Sequence, residues 1–346
     1  MAKFIDNILA PIIKRIKPVV LRYTQDSLIF KPKEKGVADM QDPLDYGLEG
    51  FATHDIVTGV DDMLHLWQIP PENETSPTIL VFHGNTGHFG DVGAGRGETH
   101  SRDYRIKLLQ AFADEKVGVI AVSMRGYGKS TGRPSEEAFV EDIEAVLDYV
   151  LHERGISPDK LLLFGESLGA AIALIAAEDM QLRGRPSPLV VTIAAFHSMK
   201  KKAIELHPDL SESLVDRVLK HPFDNESRIR KLTKDTHILL LHPEFDLTTP
   251  PHHSEYLYDA ACEEGLSVAH KELGGAEHLT WSAQHVAKEF MSSYNNHVLK
   301  NNEQNLSEKV KKKSDIKSFG SRWWNKLFGS VKSNGDDLKE SHNNES

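Results

Sequence analysis

Hydrophobic positions recur along this chain with different periods in different stretches, and those periods predict its elements. In residues 1–22, Phe4, Ile5, Ile8, Leu9, Ile12, Ile13 and Ile16 recur at steps of one, three and four, with Lys3, Lys14, Arg15 and Lys17 largely between them. That spacing predicts a basic amphipathic helix, with Pro11 and Pro18 as kinks or ends. Such a helix suits either a membrane interface or the surface of its own protein, and the pattern does not choose between them. Residues 26–35 read as an extended connection anchored by Leu28-Ile29-Phe30. Residues 54–58 and 63–69 read as a pair of strands about Gly59-Val60-Asp61-Asp62. Thr78-Ile79-Leu80-Val81-Phe82 is a continuous apolar run, as in a strand buried on both faces.

From there helical and strand patterns alternate. Helices are predicted at 105–113, 136–151 with Ser135 as cap, 170–177, 254–262 and 285–298. Strands are predicted at 117–122, 161–164, 189–195, 238–241 and 268–273. Repeated β-α order of this kind implies an α/β fold, a mostly parallel sheet with helices on both faces, in one domain over 36–300. Residues 197–232 break the alternation and read as two short helices forming a small cap. Residues 301–346 read as a flexible tail. Within it Ile316, Phe319, Trp323, Trp324, Leu327, Phe328 and Val331 fall on one face of a helix over 316–332.

Charge sharpens this division. The net charge is −10, yet residues 1–35 and 301–335 each carry eight Lys/Arg against three Asp/Glu. An acidic body argues against nucleic acid as a partner, and the two basic ends are where an anionic membrane surface would bind. Aromatic residues beside lysines in the tail favour the same boundary or a docking partner, with a helix folded back on an apolar groove of the body as the alternative. The single cysteine, Cys262, excludes an intramolecular disulfide. The first thirty residues lack a secretory pattern, and no run reaches the roughly 20 apolar residues of a membrane span. The expected location is the cytoplasm, with peripheral attachment to a membrane as the extension of that reading.

Chemistry concentrates at Gly165-Glu166-Ser167-Leu168-Gly169, between the apolar run Leu161-Leu162-Leu163-Phe164 and an alanine-rich helix. A serine held between glycines where a strand turns directly into a helix is a nucleophile elbow. Side chains at 165 or 169 would collide with neighbouring backbone, and the helix N-terminus offers N–H groups to developing negative charge. A nucleophilic serine needs an acid and a base, in the order Ser, Asp or Glu, His, each just past a strand. Asp246 follows the 238–241 strand, with Glu244 as its rival. His278 follows the 268–273 strand, with His285 second in line. The glycine-rich turn His83-Gly84-Asn85-Thr86-Gly87 can aim the N–H of Asn85 at the same point as the N–H of Leu168, forming an oxyanion hole. Gly128-Lys129-Ser130 fails as a phosphate loop, because Ser123 stands where that motif needs glycine. His252-His253 reads as loop, and there is no zinc-binding H-E-x-x-H or C-x-x-C.

These stretches, with Arg125-Gly126-Tyr127-Gly128-Lys129-Ser130-Thr131-Gly132-Arg133-Pro134-Ser135 and Phe223-Asp224-Asn225, resemble the α/β-hydrolase superfamily of serine hydrolases. The chain looks most like the subgroup of membrane-associated depalmitoylase-like and lysophospholipase-like enzymes and their bacterial relatives. The resemblance implies an acyl-serine mechanism on a carboxylic ester or thioester, small or lipid-linked. It assigns Ser167 as nucleophile, Asp246 as orienting acid and His278 as base, with no metal or cofactor. It makes the 125–135 loop structural and gives Asp224 a part in shaping the cap. Three departures stand out: Pro243 where the pattern has glycine, Glu277 before His278 in place of glycine, and a long glycine-rich loop at 87–101. Two other functions compete: a peptidase of the same fold, and a catalytically silent adaptor docked on membranes by its ends.

Overall fold

The computed structural model describes residues 24–32, 40–59, 61–90, 103–208 and 210–300. The predicted amphipathic helices at 1–22 and 316–332, and most of the 87–101 loop, lie outside these residues. The chain divides into two compact units, 1–294 and 295–346, and the fold that follows is that of the first.

Eight strands form one sheet in the order β1-β2-β4-β3-β5-β6-β7-β8. They are β1 (Ala52–Val57), β2 (Met63–Ile69), β3 (Thr78–Phe82), β4 (Gly118–Val122), β5 (Leu161–Glu166), β6 (Leu189–Ile193), β7 (His237–Pro243) and β8 (Ser267–Leu273). β2 runs antiparallel to β1 and β4, and every pairing from β4 to β8 is parallel. The residues of β3 to β7 are all buried, which is why their sequences are unbroken apolar runs rather than alternating ones.

Register decides where the loops end. Phe82 pairs with Gly165, Glu166 with Ile193, Ile193 with Leu241, and Pro243 with Leu273. The segments after β3, β5, β6, β7 and β8 therefore leave the sheet at one edge. β3 lies between β4 and β5, so the chain reverses its direction of winding beside β3, where open α/β sheets gather ligands.

Helices cover both faces. On one, α1 (Asp103–Asp114) and α8 (Ala283–Ser293) meet β5 through Phe112, Phe164 and Phe290, with ring centroids of Phe112 and Phe290 5.2 Å apart. On the other lie α2 (Glu136–Asp148) and α3 (Leu168–Leu182). Ser135 caps α2, accepting from the Ala138 N–H at 3.0 Å. α3 is buried on nearly all sides from Leu168 to Ala177, so its alanines allow close approach to the sheet.

The 197–232 interval holds three helices rather than two: α4 (Met199–Leu206), α5 (Glu212–Val218) and α6 (Asn225–Lys231). α6 packs against α3 and the following α7 (His252–Glu263), which leaves α4 and α5 over the sheet edge. The Asp224 side chain caps α6 by accepting from the Ser227 N–H at 3.0 Å. Two further expectations are corrected. His252 and His253 open α7 and are not loop. Residues 24–29 are helical, and only then does Lys31 make a short parallel bridge with Thr86. Apolar Leu28 and Ile29 gave no period long enough to distinguish helix from extended chain.

Candidate active site

Ser167 sits between the last residue of β5 and the first of α3, with φ 53° and ψ −111°. A non-glycine residue here stores roughly 1–3 kcal/mol of strain, which persists only where the surroundings over-determine it. They do so here. A Cβ at Gly165 would lie 2.1 Å from the Gly169 oxygen, and one at Gly169 would lie 2.2 Å from the Phe82 oxygen. The Ser167 N–H donates to the Ile193 oxygen at 2.9 Å, which fixes the turn on β6.

The loop after β7 carries Asp246, fully buried. Its Oδ1 accepts from the N–H groups of Thr248 and Thr249, both at 2.8 Å, and its Oδ2 faces His278 Nδ1 at 2.6 Å. Burial alone would raise this carboxyl, but the nearby His242 ring and the hydrogen bond from His278 win and hold it well below the usual carboxylate range. An ionised Asp246 accepts from Nδ1–H, which leaves His278 Nε2 free to act as a base. His242 staples the loop from beneath, its Nε2 donating to the Thr249 oxygen at 2.7 Å and its Nδ1 meeting Ser254 Oγ at 2.7 Å. Pro243 thus follows a buried, bonded histidine at the very end of β7.

The rivals go elsewhere. Glu244 accepts from the Gly275 N–H at 2.8 Å on the exposed side of the loop. His285 is exposed on α8, 3.9 Å from Glu289.

Asn85 and Leu168 flank Ser167 in one cavity of about 210 Å³. Among the described residues neither backbone N–H has a hydrogen-bond partner. Asn85 is held from three sides. Its Nδ2 donates to the Ile29 oxygen at 2.9 Å, and its own oxygen accepts from Lys31 N–H at 3.1 Å and from Tyr127 Oη at 2.9 Å. So residues 29–31 and the 125–135 loop both buttress the turn. That loop is itself pinned to β2, with the His65 N–H donating to Ser130 Oγ at 2.9 Å. Its Arg125 meets Asp142 at 2.6 Å.

Beneath the elbow lies a pair that no spacing revealed. Glu166, the residue before Ser167, accepts from Arg105 Nε at 3.0 Å and from Tyr104 Oη at 2.6 Å, all three buried. Arg105 Nη1 reaches on to the oxygens of Thr86 and His88, at 2.9 and 3.3 Å. The pair therefore ties the elbow to the Asn85 turn. Burial would raise Glu166, but the guanidinium brings it below its usual range. Next to it His83 is pulled down to about 3, first by burial and then by Arg105. This neutral ring donates from Nδ1 to the Gly84 oxygen at 2.7 Å. Arg105 fell inside a predicted helix as one charged residue among others, so the sequence offered no signal for its burial.

Ser167 lines two cavities of different character. The 210 Å³ one is apolar, walled by Leu28, Ile29, Met199, Leu206, Val215 and Val218 from residues 24–29, α4 and α5, and by Phe196 from the segment after β6. The other, about 200 Å³, is polar and contains Lys31, Arg105, Glu166, Thr248 and His278. A carbonyl at Ser167 would have an apolar side and a polar side.

Among the described residues one cluster has side chains of metal-ligand type: Glu205 of α4 with His252 and His253 of α7. His253 Nδ1 accepts from the His197 N–H at 3.3 Å, so its Nε2 carries the proton and faces Glu205 at 3.0 Å. The hydrogen bond between α4 and α7 is made by His252, whose Nε2 donates to Glu205 Oε1 at 3.2 Å, while His253 Nε2 lies near Glu205 without hydrogen-bond geometry.

Strand order, elbow and winding reversal point to one fold, and a sequence profile described as "alpha/beta hydrolase fold" matches residues 77–188. The chain is an α/β-hydrolase-fold protein. Among sequence relatives of this hydrolase fold, human Protein ABHD12B is 29% identical over 205 residues, covering 56% of this chain and 52% of that protein. Zebrafish (Danio rerio) lysophosphatidylserine lipase ABHD12 is 28% identical over 218 residues, covering 59% and 52%. Bacterial proteins match as well. The match spans about half the length of these two relatives. A solved α/β hydrolase from Vibrio vulnificus superposes with a TM-score of 0.57 at 20% identity, covering 74% of this chain and 84% of that one. No helix among the described residues is long and apolar enough to cross a membrane.

Proposed function

We propose that this α/β hydrolase cleaves carboxylic esters or thioesters through an acyl-serine intermediate. The observation that carries the reading is a strained Ser167 that lines both an apolar cavity and the polar cavity containing His278, itself 2.6 Å from a buried Asp246. Ser167 Oγ attacks the carbonyl carbon while His278 Nε2 takes its proton. The oxyanion that forms takes hydrogen bonds from the Asn85 and Leu168 N–H groups. The intermediate collapses, the C–O or C–S bond breaks, and His278 returns the proton to the leaving alcohol or thiol. Water then attacks the acyl-serine with His278 again as base, releasing the acid and restoring Ser167.

The apolar cavity suits an acyl chain, and the polar one a hydrated leaving group. Leu28 and Leu206, at the apolar cavity, are 60% and 64% exposed, which favours entry of substrate from a lipid surface. The name of the zebrafish relative as a lysophosphatidylserine lipase supports a lipid-linked ester. Attachment to an anionic membrane through the two basic ends belongs to the same reading.

A fluorophosphonate probe tests the nucleophile: labelling should map to Ser167 and vanish in Ser167→Ala. A folded wild-type protein that resists labelling and hydrolyses nothing in a panel of acyl esters and thioesters would sink the proposal. Sedimentation with anionic vesicles, with and without residues 1–22 and 316–332, tests the membrane part.

A further inference from the structure

Lys200-Lys201-Lys202 looks in sequence like a solvated run of charge. On α4 the three lysines part company. Lys200 Nζ pairs with Asp216 of α5 at 2.7 Å, and Lys201 is exposed. Lys202 turns inward and lines the apolar cavity together with Ser167 and Leu168. Its Nζ donates to Thr249 Oγ1 at 2.6 Å, and the Thr249 N–H donates to Asp246 Oδ1 at 2.8 Å. The ammonium therefore sits one residue from the hydrogen bonds that hold Asp246, at the reacting end of the cavity. It also lies 5.9 Å from the centroid of the Phe196 ring.

What Lys202 lacks is an anion. Among the described residues no carboxylate pairs with it. The two acids whose field it feels, Asp246 and Glu205, are engaged elsewhere: Asp246 with His278, Thr248 and Thr249, and Glu205 with His252. An ammonium has three N–H donors, and a hydroxyl engages one. Holding an unpaired cation against apolar walls is costly unless something completes it. Burial already pulls this lysine down to about 8. A structural role would be served as well by methionine or leucine, which pack without that cost.

We propose that Lys202 is the anion-recognition residue of this site, binding a carboxylate or phosphate of the substrate close to the scissile carbonyl. The preferred substrate is then an anionic ester, with its charged oxygens on the remaining N–H donors of Lys202. This deepens the reading of Ser167 as nucleophile and rests on it for the position of the ester.

Binding is separated from hydrolysis by using Ser167→Ala protein. Hexyl phosphate, measured by calorimetry with 1-hexanol as neutral reference, should bind at least tenfold more weakly when Lys202→Met is added, and Lys202→Arg should restore most of the loss. An equal affinity with and without Lys202 overturns the proposal, whatever happens to esters. In the active protein two matched pairs locate the charge. Mono(4-nitrophenyl) glutarate against 4-nitrophenyl pentanoate puts it on the acyl side, and 1-hexanoylglycerol 3-phosphate against 1-hexanoylglycerol puts it on the alcohol side. In one pair the charged ester should have the higher kcat/KM, by tenfold or more, and Lys202→Met should collapse that ratio through KM. Equal losses on charged and neutral esters would assign Lys202 to packing of α4 and defeat the proposal. Absence of any hydrolysis would count against the acyl-serine reading, leaving calorimetry to decide the anion site.

Discussion

The floor and the roof of the site around Ser167 are built by different rules. The floor is the carboxyl edge of the parallel sheet. There Ser167, Glu166, Arg105, His83 and Asp246 are all buried, and the charged groups among them are engaged by several partners each. The roof is α4, α5 and the helical segment at 24–29. These are short, half-exposed pieces whose apolar residues face the apolar cavity and whose charges, Lys202 apart, lie away from it. The floor can hold a reacting atom within a fraction of an ångström because no group in it has another place to go. The roof can change shape at small cost, so it is where a hydrolase of this fold would tune its substrate.

The sharpest break of this comparison is at the floor. Ser167→Ala should lower turnover by about 10⁴-fold or more, and Asp246→Asn by roughly 10³–10⁴-fold, with far-UV circular dichroism unchanged. Initial rates on a 4-nitrophenyl ester read both. A residual rate near wild type in either variant would place the chemistry elsewhere.

Removing a charge from the floor should cost stability. Arg105→Met leaves Glu166 buried without its cation and should lower unfolding free energy by about 3–5 kcal/mol in urea titration. Adding Glu166→Gln should recover part of that loss, because the orphaned charge is gone. If the single variant lost less than 1 kcal/mol, the pair would not be holding elbow and Asn85 turn together.

The roof responds in the opposite direction. Lys202 is depressed to about 8, below the unfolded lysine value near 10.4. Between those values the unfolded chain binds more protons, so the lysine's contribution to stability rises with pH. Its charge is thus a cost that is full below pH 8 and gone above about pH 10.5. Lys202→Met should stabilise the protein at pH 7 by about 1–2 kcal/mol, and the gain should fade as pH approaches 10.5. Melting curves at both pH values check the sign. A gain that stays constant with pH would mean that packing, not charge, is responsible.

Smallest is a change of shape. Met199→Trp fills part of the apolar cavity and should alter stability by less than about 1 kcal/mol. It should move the preferred acyl chain to shorter lengths in a series of 4-nitrophenyl esters. An unchanged length profile would show that the acyl chain lies outside this cavity.

Much of the floor was legible in the sequence, because its frame comes from local pattern. The unbroken apolar runs gave β3 to β7, and the order of loops after them put Ser167, Asp246, His278 and the Asn85 turn at one edge. The glycine pair could be argued from crowding alone, and the distances at Gly165 and Gly169 give that crowding a measure. The roof was less legible. Its helices are seven or eight residues long, too short for a period to separate α5 from α6, and the 24–29 helix had no period at all.

The sequence by itself determined which residues alternate, which runs are buried and in what order the polar loop residues follow their strands. Each of those is a property of neighbours a few positions apart. It could not determine what lies opposite a given face. Arg105 and Glu166 are 61 positions apart, and Lys202 and Thr249 are 47 apart. Lys200 and Lys202 differ by two positions, about 200° around a helix, so one must face away from the other. Which of them meets solvent, and which meets an apolar cavity beside Ser167, was decided only when α4 came to rest over the sheet edge.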